Sequence, residues 1–187
     1  IIGVGFDKSD AILGLIEDGH LLCTMAQNPD VMGYEGVKAA VAAIGGEDLG
    51  GKVTDTGVSV LTAEGTASGS EDANAEEDNA NTVTKASKEW KIGLITMDSI
   101  DQHWVTLNEG AQKKAEELGV NVQFMAPNTK DDAQQIECVN NAVASGCDAI
   151  MVAANGPDAI SSTLQEAQSA GVKIVYVDSP ANVEAEA

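Results

Sequence analysis

The polar residues that could hold a small molecule follow the apolar strands in the second half of the sequence. Four apolar runs indicate strands there: KIGLITM, VNVQFM, DAIMV and VKIVYV. In an open parallel α/β sheet, a ligand lies beyond the carboxyl ends of the strands. The residues at those ends are Met97, Asp98, Asp101, Gln102, His103 and Trp104, then Pro127 and Asn128, then Ala154 and Asn155, and finally residues 178–182. This set is rich in Asp, Asn, His and Trp.

Carboxylates and amides beside an indole favour binding of a sugar. An Asp accepts paired hydrogen bonds from neighbouring hydroxyls, and an aromatic face covers the apolar C–H side of a sugar ring. Asp178 and Trp104 are the leading candidates for these roles. The alternatives are a turn or cap carboxylate for Asp178 and simple core packing for Trp104.

The same residues do not assemble a catalytic or metal site. His103, one of two histidines with His20, is typical of a pocket wall or a hydrogen-bonded surface group rather than a general base. The sequence has no Ser/His/Asp order and no HExxH, and its three cysteines have no CxxC spacing. We therefore expect a protein that is not an enzyme and that has no metal or cofactor.

Phosphate ligands and phosphotransfer are also disfavoured. The turn after the first of these strands, TMDSIDQHW, has two aspartates and no glycine, whereas a mononucleotide or flavin site needs backbone N–H groups that face an anion. Asn155 stands about where a receiver domain needs its phosphate-accepting aspartate. A flavodoxin-like enzyme stays open as a third class, which a bound coloured cofactor would reveal.

The composition limits the partners of the chain. Its 187 residues hold 30 acidic and 10 basic side chains, a formal charge of −20 that repels nucleic acid and anionic lipid. No apolar run approaches the roughly 18 residues of a membrane span, and no basic segment followed by an apolar one at Ile1 indicates an export signal. With 43% hydrophobic but only 3% aromatic residues, the core is expected to be aliphatic.

Helices alternate with the four strands. AQKKAEEL, VNNAVAS and LQEAQSA each run into a glycine, at Gly119, Gly146 and Gly171, which predicts a left-handed residue that ends the helix. The β-α-β-α-β-α-β order predicts a parallel sheet with right-handed crossovers and helices on both faces.

An acidic, polar segment at residues 63–88 precedes this half and is predicted to be a flexible linker. Before it come a strand in IIGVGFD, a helix capped by Ser9, a strand in LLCTMAQ, a helix from Asn28-Pro29 to about Ile44, and an extended segment. These are too few strands for a separate sheet. We therefore expect both sides of the linker to share one parallel layer, with the helix at 29–44 on it.

Two segments resemble parts of one known family. Residues 91–180 are similar to the amino-terminal lobe of type I periplasmic binding proteins, the ribose-binding-protein-like sugar receptors of ABC transporters. Residues 1–62 are similar to the carboxy-terminal end of that family. The motifs are GFD, AQNPxxMGYxGVKAA, GCDAI and VxVDS. The resemblance implies a doubly wound parallel sheet in three α/β/α layers, with the flavodoxin-like strand order 2-1-3-4-5.

The resemblance also implies an organisation and a site. Residues 1–62 correspond to the end of a second lobe plus a helix that returns to the first, residues 63–88 to a linker, and residues 89–187 to the first lobe. Carried over by position, the ligand contacts are Asp101, His103, Trp104, Asp178, Asp7 and Gln27, to which the strand-end position adds Asn155. In the family, a sugar binds between two lobes and closes the hinge that joins them. A membrane permease then recognises this closed form outside the cytoplasm.

The segments stand in reversed order and are incomplete relative to the family. A circular permutant, a junction of two fused binding proteins, or a partial chain each fits, and the reduced pocket predicts weak sugar binding. GTASGS resembles a joining sequence, whereas SEDANAEEDNAN resembles the spacer of Gram-positive lipoproteins. The rival interpretation is an engineered or dissected lobe without a ligand, which self-associates as a homodimer by exchange of a strand or segment.

Overall fold

The computed structural model describes residues 2–49, 51–67, 86 and 88–183. The chain divides into two compact units. Unit 1 is drawn from Ile1–Pro29 and Thr54–Asn81, and unit 2 from Asp30–Val53 and Thr82–Ala187. Each unit therefore combines two segments that are separated in the sequence.

Unit 1 contains a four-stranded mixed sheet of order β1-β2-β3-β4. Its elements are β1 (Val4–Phe6), α1 (Asp10–Glu17), β2 (Cys23–Gln27), β3 (Val58–Thr62) and β4 (Gly65–Ala67). The β1 and β2 strands are parallel, whereas β3 is antiparallel to both β2 and β4. The predicted cap of α1 is confirmed, because Oγ of Ser9 accepts the N–H of Ile12 at 3.3 Å.

The expectation that both sides of the linker share one parallel layer is wrong. Unit 1 forms a sheet of its own because β3 pairs antiparallel with β2, and the chain then turns back and adds β4 beyond β3. At this turn Gly65 adopts a φ of 115°, and the hydroxyl of Thr62 donates to the Gly65 carbonyl at 2.8 Å. β4 lies inside the segment 63–88 that the composition assigns to a linker. Apart from its first five residues, Ala86 and Lys88, that segment lies outside the described residues.

Unit 2 contains a parallel sheet of order β6-β5-β7-β8. Its elements are α2 (Pro29–Ile44, which the division into units places here from Asp30), β5 (Lys91–Ile95), α3 (Gln102–Leu118), β6 (Asn121–Phe124), α4 (Asp132–Ala144), β7 (Ala149–Val152), α5 (Ser161–Ser169) and β8 (Lys173–Tyr176). If the strands of this sheet are numbered along the chain, with β5 as strand 1, their order is 2-1-3-4. These are the first four positions of the predicted order 2-1-3-4-5. Gly119, Gly146 and Gly171 have φ of 72°, 75° and 90°, which confirms the predicted helix ends.

Both faces of this sheet are covered by helices, so the predicted three-layer α/β/α arrangement is confirmed. On one face, Val37 of α2 and Leu107 of α3 join Leu94 in a buried cluster. On the other face, Val139 of α4 and Leu164 of α5 join a second cluster. The prediction that the helix at 29–44 packs on this sheet is thus also confirmed. Within the described ranges, none of the helices is long and apolar enough to cross a membrane.

Helices α2 and α3 cross at two glycines. A Cβ placed on Gly33 would lie 1.9 Å from the carbonyl oxygen of Leu107, and one on Gly110 would lie 1.9 Å from that of Asp30. These separations are far below contact distance, so no other residue fits at either position without moving a backbone. The close approach fixes α3, whose first turn carries His103 and Trp104.

A buried lysine strengthens the same crossing. Lys114 of α3 is 3% exposed, and its Nζ donates to Oη of Tyr34 at 3.1 Å and to Oε2 of Glu117 at 3.2 Å. Burial lowers the pKa of Lys114, but the hydrogen bonds to Tyr34 and Glu117 outweigh it and leave the pKa above its ordinary 10.5. The hydroxyl of Tyr34 also donates to Oε2 of Glu117 at 2.6 Å and, with Lys114, holds the pKa of that carboxyl below its ordinary 4.5 despite opposing desolvation.

Candidate ligand-binding site

The loop after β5 is built around the buried side chain of Asp98. Asp98 is 4% exposed, and its Oδ1 accepts the backbone N–H groups of Ile100 at 3.0 Å and Asp101 at 2.8 Å. The hydroxyl of Thr96, which is fully buried, donates to the carbonyl of Asp98 at 2.7 Å. A short polar side chain that bonds to the backbone two and three residues ahead stabilises a turn. The loop therefore enters α3 in one fixed conformation.

Asp101 is the N-cap of α3. Its Oδ1 accepts the N–H of His103 at 3.1 Å, and its extended backbone precedes the first helical residue. This use of a carboxylate satisfies a free N–H group at a helix start. The cap places His103 and Trp104 together in the first turn.

The side chains of His103 and Asp178 meet at the end of the unit 2 sheet. Nε2 of His103 lies 3.3 Å from Oδ1 of Asp178, and the two side chains are 14% and 19% exposed. Asp178 follows β8 and has a φ of 62°, in the left-handed region that Asp and Asn tolerate better than most residues. The structure thus brings together two residues that are 75 positions apart, in a partly screened environment.

Trp104 lies in the core behind this pair. Its side chain belongs to the buried cluster on the α2/α3 face of the sheet, and the residue is 4% exposed. The rings of His103 and Trp104 meet edge to face, with centroids 4.6 Å apart and an interplanar angle of 87°. Within the described residues, Nε1 of Trp104 has no hydrogen-bond partner. The indole therefore supports the imidazole, while its own face is turned away from solvent.

Asn155 follows β7 and is held by α4. Its side-chain Nδ2 donates to Oδ1 of Asp132, and its backbone N–H donates to Oε1 of Gln135 at 2.9 Å. A Cβ on the next residue, Gly156, would lie 2.6 Å from the Asp132 carboxylate, so the loop passes directly over that side chain. Asn155 is half-buried, and its carbonyl-type side-chain oxygen is the part that remains to be used.

Asp7 and Gln27 belong to unit 1. Asp7 follows β1 with a φ of 65°, its N–H donates to the carbonyl of Met25 at 2.8 Å, and its own carbonyl accepts the hydroxyl of Thr24 at 2.7 Å. Oδ1 of Asp7 is buried and has no hydrogen-bond partner among the described residues. Gln27 is the half-buried last residue of β2. Asp7 and Asp178 thus share a left-handed backbone just beyond a strand.

Gln135 of α4 was not among the residues predicted from the sequence, and its side chain is only 1% exposed. It lies in the stretch DDAQQIE, where polar residues are ordinarily assigned to the solvent side. Its position one turn after the helix start and four residues before an inward Val139 is a weak signal that could have placed it on the buried face.

The arrangement in unit 2 suits binding rather than catalysis. A carboxylate, an imidazole and amide groups accept and donate hydrogen bonds, as neighbouring hydroxyls of a small molecule require. Across the described ranges, no group of three or more His, Cys, Asp or Glu side chains is placed to hold a metal ion.

Comparison with known proteins identifies the family. Residues 92–187 match the family described as "Periplasmic binding protein domain". The chain therefore belongs to this family, whose members are solute-binding proteins and not enzymes, in agreement with the prediction from the residues.

Two curated relatives match about half of the chain. One is the ribose import binding protein of Bacillus subtilis, 29% identical over 91 residues, which are 49% of this chain and 30% of that protein. The other is the D-xylose-binding periplasmic protein of Haemophilus influenzae, 28% identical over 92 residues, which are 49% of this chain and 27% of that protein. The match covers less than a third of each relative.

A solved structure shows the same fold. It is an ABC transporter solute-binding protein from Clostridium phytofermentas with bound L-rhamnose, which superposes with a TM-score of 0.51 and 27% sequence identity. The superposition covers 53% of this chain and 31% of that one. The likeness supports the type I binding-protein fold that the sequence resemblance implies.

Proposed function

We propose that unit 2 is a sugar-binding lobe of the solute-binding component of a carbohydrate ABC transporter. The observation that carries the proposal is the His103–Asp178 pair, 3.3 Å apart, at the edge of the sheet where β5, β7 and β8 end. Family membership and the sugars named for the relatives support the same ligand class.

The proposed roles follow from the geometry of each side chain. The Asp178 carboxylate accepts hydrogen bonds from two neighbouring sugar hydroxyls, and the ring of His103 covers the C–H face of the sugar while Trp104 fixes that ring from behind. Asp101 and Asn155 accept further hydrogen bonds from the sugar. They do so through the side-chain oxygens that are not used in the cap of α3 or in the contact with α4.

In unit 1 we propose Asp7 and Gln27 as ligand contacts. We further propose that residues 1–62 derive from the end of such a protein and residues 89–187 from its first lobe, in permuted order, and that the protein works outside the cytoplasm with a membrane permease. The match covers only 30% and 27% of the two relatives, and unit 2 alone supplies the site residues after β5, β7 and β8. We expect weak binding, on the order of a millimolar dissociation constant, or about −4 kcal/mol.

Titration calorimetry tests this proposal with a panel of pentoses and hexoses that includes D-ribose, D-xylose and L-rhamnose. We expect weak heat of binding for one or more sugars, which the Asp178→Asn variant abolishes. The Glu166→Gln variant is the matched control, because it removes one exposed acidic charge from α5 without touching the loop after β8. Binding that survives in Asp178→Asn would contradict the proposed role, and micromolar binding would contradict the weak-affinity part alone.

A second candidate, self-association without a ligand, is favoured by the exposed face of the unit 1 sheet. Phe6, Met25 and Val60 occupy paired positions on this face, and Phe6 and Met25 are 63% and 38% exposed. Val4, on the same face of the edge strand β1, is 58% exposed. Apolar patches of this kind are typical of association between copies.

Light scattering on the purified chain separates the two functions. A dimer that Phe6→Ser dissociates would favour self-association through this face. The control is Leu15→Ser, which changes an apolar side chain that is 42% exposed on α1. A monomer at all concentrations would exclude this candidate.

A further inference from the structure

The amide of Gln135 contacts the ends of two neighbouring strands of unit 2. Its Nε2 donates to the carbonyl of Thr96 at 3.0 Å and to the carbonyl of Ala153 at 2.8 Å. These are the residues directly after β5 and β7. Its Oε1 accepts the N–H of Asn155 at 2.9 Å. Both amide hydrogens and one oxygen lone pair are therefore in use, in a site from which water is excluded.

From Thr96, a series of short contacts leads to the ligand residues. The Thr96 hydroxyl holds the carbonyl of Asp98, and the Asp98 carboxylate holds the N–H of Asp101. The Asp101 carboxylate in turn holds the N–H of His103, whose ring meets Asp178. This series of contacts connects the imidazole of His103 to Thr96, where the amide of Gln135 holds the end of β5.

From Ala153, a second series leads to the loop after β8. The N–H of the next residue, Ala154, donates to the carbonyl of Ser179 at 2.9 Å, and the hydroxyl of Ser179 donates back to the carbonyl of Ala154 at 3.3 Å. Ser179 follows Asp178 directly. Gln135 therefore contacts the first residue of both series, one of which leads to His103 and the other to Asp178.

We propose that Gln135 is a positioning residue of the ligand site: its amide sets the spacing between the loops after β5 and β7, and through them the geometry of His103 and Asp178. This inference rests on the proposed sugar-binding function. An aliphatic side chain at position 135 would fill the same volume, but it would leave two carbonyls and one N–H group without partners. A carboxylate there would meet two carbonyl oxygens with a negative charge.

The Gln135→Glu variant gives a readout that a purely structural role would not move. Burial beside two carbonyl oxygens raises the pKa of a carboxyl at this position. Below that pKa the neutral acid still accepts the Asn155 N–H and donates to one carbonyl, whereas above it the ionised group repels both carbonyls. We expect the amide resonance of Asn155 and the ring resonances of His103 to change together with pH in the free variant. They should return towards their wild-type positions as the pH falls.

The matched control is Gln134→Glu, the same substitution on the neighbouring, exposed residue of α4. It should lack the shared step that Gln135→Glu shows, and so should the wild type, whose own pH dependence is recorded under the same conditions and subtracted. If Gln135→Glu is unfolded at neutral pH, Gln135→Met, of similar volume and without charge, replaces it and should displace both sets of resonances at all pH values. Displacement of Asn155 alone, with His103 unchanged in either variant, would overturn the proposal.

Sugar titration then distinguishes this inference from the function on which it rests. We expect Gln135→Met to bind the sugar on the order of tenfold more weakly than the wild type, the size of effect that corresponds to the loss of one buried hydrogen-bond partner. If the wild type binds no sugar, the proposed function fails while the resonances of the free protein still decide the role of Gln135. If the wild type binds and Gln135→Met binds equally well, the positioning role fails and the function stands.

Discussion

The contact between Nε2 of His103 and Oδ1 of Asp178, at 3.3 Å, joins residues that follow two strands which are not neighbours in the sheet. His103 follows β5, Asp178 follows β8, and β7 lies between those strands. The pair therefore spans the end of β7. This explains why the loops after all three strands must keep a fixed spacing for the site to form.

The ring of His103 is expected to matter more than its nitrogen atoms. If a flat face covers the C–H side of the sugar, His103→Phe keeps that surface and its edge-to-face contact with Trp104, whereas His103→Ala removes both. We predict that His103→Ala weakens sugar binding several-fold more than His103→Phe does, as measured by calorimetry. Equal losses in the two variants would show that the imidazole acts through hydrogen bonding instead.

Two substitutions at Asp178 should distinguish its role in binding from its role in stability. Its φ of 62° suits Asn but not a β-branched residue. We predict that Asp178→Asn unfolds at the same midpoint concentration of urea as the wild type. Asp178→Val is expected to lose about 1–2 kcal/mol of unfolding free energy. A stable Asp178→Val protein would mean that the loop relaxes out of the left-handed conformation.

The crossing of α2 and α3 should tolerate no added methyl group. In Gly110→Ala the new Cβ would lie 1.9 Å from the Asp30 carbonyl, so the helices must separate. Overpacking of this kind costs typically about 1–3 kcal/mol, and we predict a loss of at least that size in the unfolding free energy of unit 2. The control is Gly14→Ala on α1, where nothing lies within 4 Å and the better helix propensity of Ala is expected to stabilise. Equal effects of the two substitutions would contradict the close crossing.

The stability of this crossing should depend on pH through Glu117. Its pKa is lower in the folded state, so its contribution is present above the ordinary value of 4.5 and is lost as the pH falls through the folded pKa. We predict that the wild type melts slightly above Glu117→Gln at pH 7 and that the difference closes at acidic pH. The effect is small because the carboxyl is 39% exposed. A difference in melting temperature that stays constant down to acidic pH would exclude this linkage.

The sequence predicted unit 2 well because its signals are local. Helices that run into Gly119, Gly146 and Gly171, followed by apolar strands, specify the β-α-β order without knowledge of distant contacts. The separate sheet of unit 1 was not predictable in this way. Its fourth strand is a three-residue piece of a polar segment, and only pairing with β3 makes it a strand.

The candidate site was partly predictable for the same reason. Position beyond a strand end was enough to select His103, Asn155 and Asp178, since topology brings such residues to one edge. Burial was not predictable: an indole at Trp104 fits both a pocket and a core, and a glutamine such as Gln135 is ordinarily exposed on a helix. Both were decided by tertiary packing that no local pattern records.

The most direct test of the account is a ¹H–¹⁵N NMR titration of the chain with a sugar that gives heat in calorimetry, followed at millimolar concentration. We predict saturable shifts confined to the loops after β5, β7 and β8, with the largest at His103, Asn155 and Asp178. Saturable shifts elsewhere in unit 2 that leave these three residues unchanged would contradict the assignment of the sugar site.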